Sequence, residues 1–239
     1  MFASLLRRLA QPEPPPPWGL FAAVNAALVS LIAIVAGSFI GLSVFGDQPA
    51  ALLTGWTIGS LVTVIFVSLA RRQPAERTAL RLSAGTSRLY LVLLFSLGMA
   101  VLIDLVLMAL SSAFLPAPEL IDLYVRPNSA LAWVLAAALL LVAQPAAEEL
   151  VFRGMFFPAA RARLNPWAAL LLTAALYALF HYVAYARPGL PLAYTLAAPF
   201  LAGLVLTGTR AYTGSTRAAL VAHAAFGLFA LLKLLALAG

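Results

Sequence analysis

The feature that most constrains this chain is a series of continuously apolar runs, each about twenty residues or longer, that together occupy most of its length. Surface elements of soluble proteins alternate apolar and polar faces; these runs do not. A helix of about 20 apolar residues crosses the hydrocarbon core of a bilayer. An open sheet cannot cross, because its edge N–H and C=O groups would have no partners, and a barrel strand would alternate in polarity. The expected fold class is therefore all-α, a polytopic membrane protein with about seven transmembrane helices. Composition agrees: 64% of the 239 residues are hydrophobic and 10% are charged, against roughly 25% charged in soluble domains.

The expected spans are Trp18 to Phe45, Ala51 to Ala70, Leu89 to Leu115, a fourth from near Leu131 past Glu148, Trp167 to Ala186, Leu190 to Thr209, and Ala218 to Ala238. A polar, Pro-containing loop from Pro116 to Asn128 precedes the fourth. This divides the chain into a basic, Pro-rich tail (1–17), N-terminal transmembrane helices (18–115) and a helical core (129–239). The tail holds Arg7 and Arg8, then Pro12 and the run Pro14 to Pro17. Its apolar stretch is too short for a secretory signal, and it reads as a cytoplasmic tail with a polyproline spacer. Cysteine is absent, which excludes disulfide and thiolate chemistry.

The formal charge of +7 is explained by topology. With the N-terminus in the cytoplasm and seven crossings, Arg7, Arg8, Arg71, Arg72, Arg77, Arg81, Arg88, Arg153, Arg161, Arg163, Arg210 and Arg217 fall on the cytoplasmic side. Only Arg126, Arg187 and Lys233 fall opposite. That is the positive-inside pattern, so the expected partner of the charge is the lipid bilayer and no nucleic acid is expected. A single Lys beside fourteen Arg, with abundant Ala and Leu, suggests a GC-rich bacterial genome and hence a bacterial cytoplasmic membrane.

Six ionisable residues enter the apolar spans: Asp104, Glu148, Glu149, Arg153, His181 and His223. Each costs on the order of 3 kcal/mol at the bilayer centre, so each needs a partner, a cavity or a function. Glu149 and Arg153 stand at i and i+4 and are expected to form a structural pair. Glu148, rotated about 100° from its neighbour, has no local cation and is the candidate general base. Pro145, just upstream, is expected to kink the helix. Glu148 stands about as far before the Asn165-Pro166 turn as His181 stands after it, so an antiparallel hairpin sets both roughly 25 Å from the turn, at about 1.5 Å per residue. Counted from Gly214, His223 comes out shallower. Tyr177, one turn before His181, either packs or orients that ring. Asp104 is expected to link helices, and Lys233 to snorkel to the interface.

The segments EELVFR (148–153), YALFH (177–181) and TGSTRAALVAHAAFG (213–227) resemble the three motifs of the CPBP family, which joins type II CAAX prenyl endopeptidases with bacteriocin-processing and abortive-infection proteins. Its pattern is EExxxR, FxxxH and HxxxN or HxxxD. Glu148, Glu149 and Arg153 match the first motif. His181 matches the second, with Tyr177 in place of Phe. His223 matches the third, with Gly227 where Asn or Asp is expected. The resemblance spans roughly Leu131 to Leu237. It implies an intramembrane endopeptidase in which Glu148 and His181 activate a water to hydrolyse a peptide bond of a membrane-presented peptide or protein. His223 and the residue at 227 would stabilise the oxyanion, and Gly227 has no side chain to donate. The other asparagines, Asn25, Asn128 and Asn165, offer no evident substitute. Two further readings stand beside this one: a non-catalytic immunity or scaffold protein that binds a peptide in the same cavity, and a small proton-coupled transporter using Asp104, Glu148 and the histidines. Without an HExxH helix no cofactor is favoured; if a metal binds, zinc on Glu148, His181 and His223 is the expected set.

Overall fold

The computed structural model describes residues 2–83, 88–126 and 129–238; Asn128 lies outside them, as do Met1 and Gly239. Among the described residues all regular structure is helical. The elements are α1 (Phe2–Leu9), α2 (Leu20–Phe45), α3 (Pro49–Ala70), α4 (Pro74–Ala79), α5 (Leu89–Ser111), a 3-10 turn (Pro118–Leu120), α6 (Ile121–Val125), α7 (Ala130–Arg161), α8 (Pro166–Tyr185), α9 (193–213) and α10 (Thr216–Ala238). Six of them, α2, α3, α5, α7, α8 and α10, are long and apolar enough to cross a membrane. Their outward faces leave Phe21, Phe39, Ile65, Leu69, Leu94 and Leu110 exposed, an apolar surface suited to lipid and not to water. The protein is an all-α polytopic membrane protein.

The expected sixth span is the difference. It is helical as α9 but falls short of the apolarity that a lipid-facing helix needs. Thr207, Thr209 and Arg210 are buried there, and α9 packs against α5, α8 and α10, so its polar groups meet protein and not acyl chains.

Close backbone contact joins α2 to α3. A Cβ on Gly37 or Gly41 would strike the α3 backbone, and one on Gly55 or Gly59 the α2 backbone. Lipid tails are as apolar as side chains, so such contact takes over from hydrophobic burial as the adhesive between helices.

Three prolines lie within long helices, and each is preceded by a stretch of π-helix: Leu139–Ala143 before Pro145, Glu149–Phe156 before Pro158, and Ala193–Ala197 before Pro199. In every case the last wide-turn bond ends one residue short of the proline, with Gln144 N–H donating to Leu139, Phe157 to Phe152 and Ala198 to Ala193. A proline has no N–H to donate, and the wider turn lets the helix continue through it. This is how α7 stays helical past Gly154 and Pro158.

Sequence expectation and structure also part at three charges. Arg153 and Arg210, counted above as cytoplasmic, are fully buried. Lys233 does not snorkel: it is 6% exposed, donates to Asp104 of α5 and lies 4.3 Å from the Phe114 ring centre. Asp104 is thus a helix-to-helix partner whose charge is balanced by Lys233. Arg210 holds the tail in place, donating to both carboxylate oxygens of Glu13 at 2.7 and 3.0 Å. Arg161 and Arg81 stand at 3.9 and 4.0 Å from the same carboxylate, and Trp18 Nε1 donates to the Met155 carbonyl.

Candidate active site

α7 carries the first half of the site. Leu150 through Ala160 are all buried, so this helix is enclosed on every side and brings its charges into the protein interior. Glu148 and Glu149 are both fully buried and have different surroundings. Glu149 Oε1 accepts from Arg153 Nη1 at 2.8 Å, as the i, i+4 spacing predicts. Arg153 also donates to Thr207 Oγ1 at 3.3 Å and the Gly203 carbonyl at 3.2 Å, both on α9, and lies 4.3 Å from the Tyr177 ring centre. Glu149 Oε1 also stands 2.9 Å from His223 Nδ1. A carboxylate accepts, so the His223 proton sits on Nδ1 and Nε2 faces away from Glu149. Glu149 is therefore more than half of a clamp; it fixes the orientation of His223.

Glu148 has no arginine. Its Oε1 accepts from Gln144 Nε2 at 3.2 Å and from the Tyr185 hydroxyl at 3.1 Å. Its Oε2 is buried without a hydrogen-bond partner and lies 3.6 Å from His181 Nε2 and 3.8 Å from His223 Nε2. His181 Nδ1 is 3.3 Å from the Tyr177 carbonyl. A carbonyl only accepts, which puts the proton on Nδ1 and turns the Nε2 lone pair toward Glu148. Tyr177 acts at both ends, since its hydroxyl lies 3.4 Å from His223 Nε2.

The structure thus brings Glu148, His181 and His223 together. The hairpin count foresaw the first two. The depth count left His223 short, yet its Nε2 lies 3.8 Å from Glu148 Oε2; the turn before α8 is exposed at 162–165, whereas Ser215 and Thr216 before α10 are fully buried.

Gly227 is a packing position. A Cβ there would run into the Leu140 carbonyl, which Pro145, lacking an N–H, cannot serve. A glycine lets α10 sit on that bared backbone, and an Asn or Asp side chain does not fit on this backbone. Three residues without motif support complete the site. Gln144 and Tyr185 were findable, each standing four residues from a motif residue, Glu148 and His181 respectively. Glu119, from the loop before α6, gave no signal. It is 8% exposed, accepts from Gln144 Nε2 at 3.3 Å and lies 3.7 Å from His181 Nε2.

Glu119, Gln144, His181 and His223 line a cavity of about 160 Å³ between α5, α7, α8, α9 and α10, as do Asp104 and Lys233; Glu148 lies behind them, outside the lining. Ile103, Leu107, Leu206 and Phe226 form much of the wall. Among the described residues no group of three or more His, Cys, Asp or Glu side chains is arranged to hold a metal ion.

Residues 130–229 match the family described as type II CAAX prenyl endopeptidase Rce1-like. Over this stretch the helical core is similar to the Rce1-like family. All three motif segments fall within the matched stretch, and so do Gln144 and Tyr185; Glu119 and helices α1 to α6 precede it. No curated protein and no solved structure matches the chain. The family is one of membrane proteases, which agrees with the six apolar helices.

Proposed function

We propose that the protein is an intramembrane endopeptidase that hydrolyses a peptide bond in a membrane-presented peptide or protein, using water activated by Glu148. The observation that carries this reading is the unpartnered Glu148 Oε2, fully buried yet within 3.6 and 3.8 Å of two imidazole nitrogens. A water donating to Glu148 Oε2 and His181 Nε2 has its oxygen lone pairs free for a carbonyl carbon. Glu148 takes the proton as the C–O bond forms, which is general base catalysis worth about 10²–10⁴ in rate. The Tyr177 hydroxyl, 3.4 Å from His223 Nε2, is the donor offered to the developing oxyanion, and His223, with its proton on Nδ1, positions that hydroxyl. A donor of this kind is worth about 3 kcal/mol in a dry site, and Tyr177 takes the place in this role that Gly227 leaves empty. The substrate's prenylation state is left unassigned. The mechanism needs no metal.

The test is cleavage of a membrane-presented peptide library by the purified protein in nanodiscs, beside Glu148→Gln. Cleavage lost in the variant is expected. Gly227 favours a second reading, a relative that binds a peptide in the same cavity without cutting it. Peptide binding with no turnover by either protein would decide for that reading.

A further inference from the structure

One carboxylate at the site is not used by the water-activation step. Peptide hydrolysis needs two proton transfers: one from the attacking water, and one to the leaving amine, which departs poorly as an anion. Glu148 serves the first. Glu119 faces it across His181: its Oε1 is 3.7 Å from His181 Nε2, where Glu148 Oε2 is 3.6 Å from the same nitrogen. The Gln144 amide nitrogen donates to both carboxylates, at 3.3 Å to Glu119 and 3.2 Å to Glu148. Both Glu119 and His181 line the cavity.

We propose that Glu119 is a further catalytic residue, the general acid that protonates the leaving amine, with His181 Nε2 returning the proton between turnovers. This rests on the endopeptidase reading above. The atoms balance. Water oxygen bonds to the carbonyl carbon as its proton passes to Glu148. The C–N bond breaks as the Glu119 proton passes to nitrogen. The proton on Glu148 then crosses His181 Nε2 to Glu119, leaving Glu148 ionised and Glu119 neutral as at the start. Geometry sets the two carboxylates apart: Glu148 Oε2 also lies 3.8 Å from His223 Nε2, whereas Glu119 lines the cavity wall.

The test compares the scissile amide with a thioester at the same position, because a thiolate leaves without protonation. The full chain in nanodiscs is assayed with a peptide that the wild type cleaves, beside Glu119→Gln, which keeps an acceptor for Gln144, and Glu119→Asp. Expected results are an amide kcat at least about a hundredfold lower in Glu119→Gln, a thioester kcat within a few-fold of wild type, KM unchanged on both, and partial recovery of amide cleavage in Glu119→Asp. Equal loss on both substrates would make Glu119 a structural residue, and no loss on the amide would remove it from the reaction; either result overturns the assignment. Wild type inert on amide and thioester alike would instead overturn the endopeptidase reading and this assignment together.

Discussion

Two regions of the molecule bury a glutamate beside arginines, and they do so to opposite ends. In the strap, Glu13 meets Arg210 through both oxygens, with Arg81 and Arg161 close by. The carboxylate is held on both oxygens among three arginines, and the result is attachment of the Pro-rich segment to α7, α9 and the turn after α4. At the site, α7 places two glutamates side by side and answers only one. Arg153 takes Glu149 through Oε1, while Glu148 has no cation and its unpartnered Oε2 stands beside two imidazoles. A carboxylate held by arginine serves attachment, whereas one facing two imidazoles has groups beside it that exchange protons. Glu13 is partly buried and Glu148 fully buried, and the local supply of cations makes the difference.

Glu148→Gln breaks the comparison most sharply. Cleavage should fall by about 10²–10⁴, while the thermal unfolding midpoint in detergent stays level or rises, because a buried carboxylate without a cation costs stability that an amide does not. A midpoint several degrees lower would make Glu148 a structural group like Glu13. Arg153→Met should behave in the reverse sense. Leaving Glu149 unpaired costs about 3–5 kcal/mol and frees His223, so folding and activity should fall together; thermal unfolding beside the cleavage assay would show whether they do.

Smaller effects are expected at the strap. Glu13→Gln should cost about 1.5–3 kcal/mol, the worth of hydrogen bonds to a charged group, and expose residues 10–17 to protease while cleavage of substrate stays within about twofold. A large activity loss would tie the strap to the site. Gly227→Ala should cost about 1–3 kcal/mol by overpacking against Leu140, visible in the same unfolding experiment; a variant as stable as wild type would mean that α10 can move away. The mildest perturbation is pH. Burial raises the Glu13 carboxyl, but the Arg210 hydrogen bonds and the charges of Arg210, Arg81 and Arg161 outweigh it and leave it below 4.5. A carboxyl lowered in the folded state stabilises above its unfolded pKa, and that contribution is lost as pH falls through the folded value. Protease sensitivity of the strap should thus appear only below about pH 4.5, and release at neutral pH would contradict the pairing.

Much of the site was legible because its chemistry is local in sequence. Glu149 with Arg153 follows from i, i+4 geometry, and Glu148 with His181 from equal distance to one turn. The missed residues share one cause. Glu119 reaches the site from a loop, Lys233 reaches Asp104 from another helix, and His223 comes to Glu148 from a third helix. None of these is a spacing along the chain. Gly227 was read as a gap in the oxyanion hole because a motif states which side chain is absent and does not state what backbone takes the space.

The sequence alone determined that the chain is a bundle of membrane helices and which few residues carry its chemistry. In an apolar medium every run of about twenty apolar residues must satisfy its own backbone, and every charge stands out against it. Only the tertiary structure decided which charges are answered and which are not, since that depends on cations and amides brought from distant helices and on the π turns that carry α7 and α9 through their prolines.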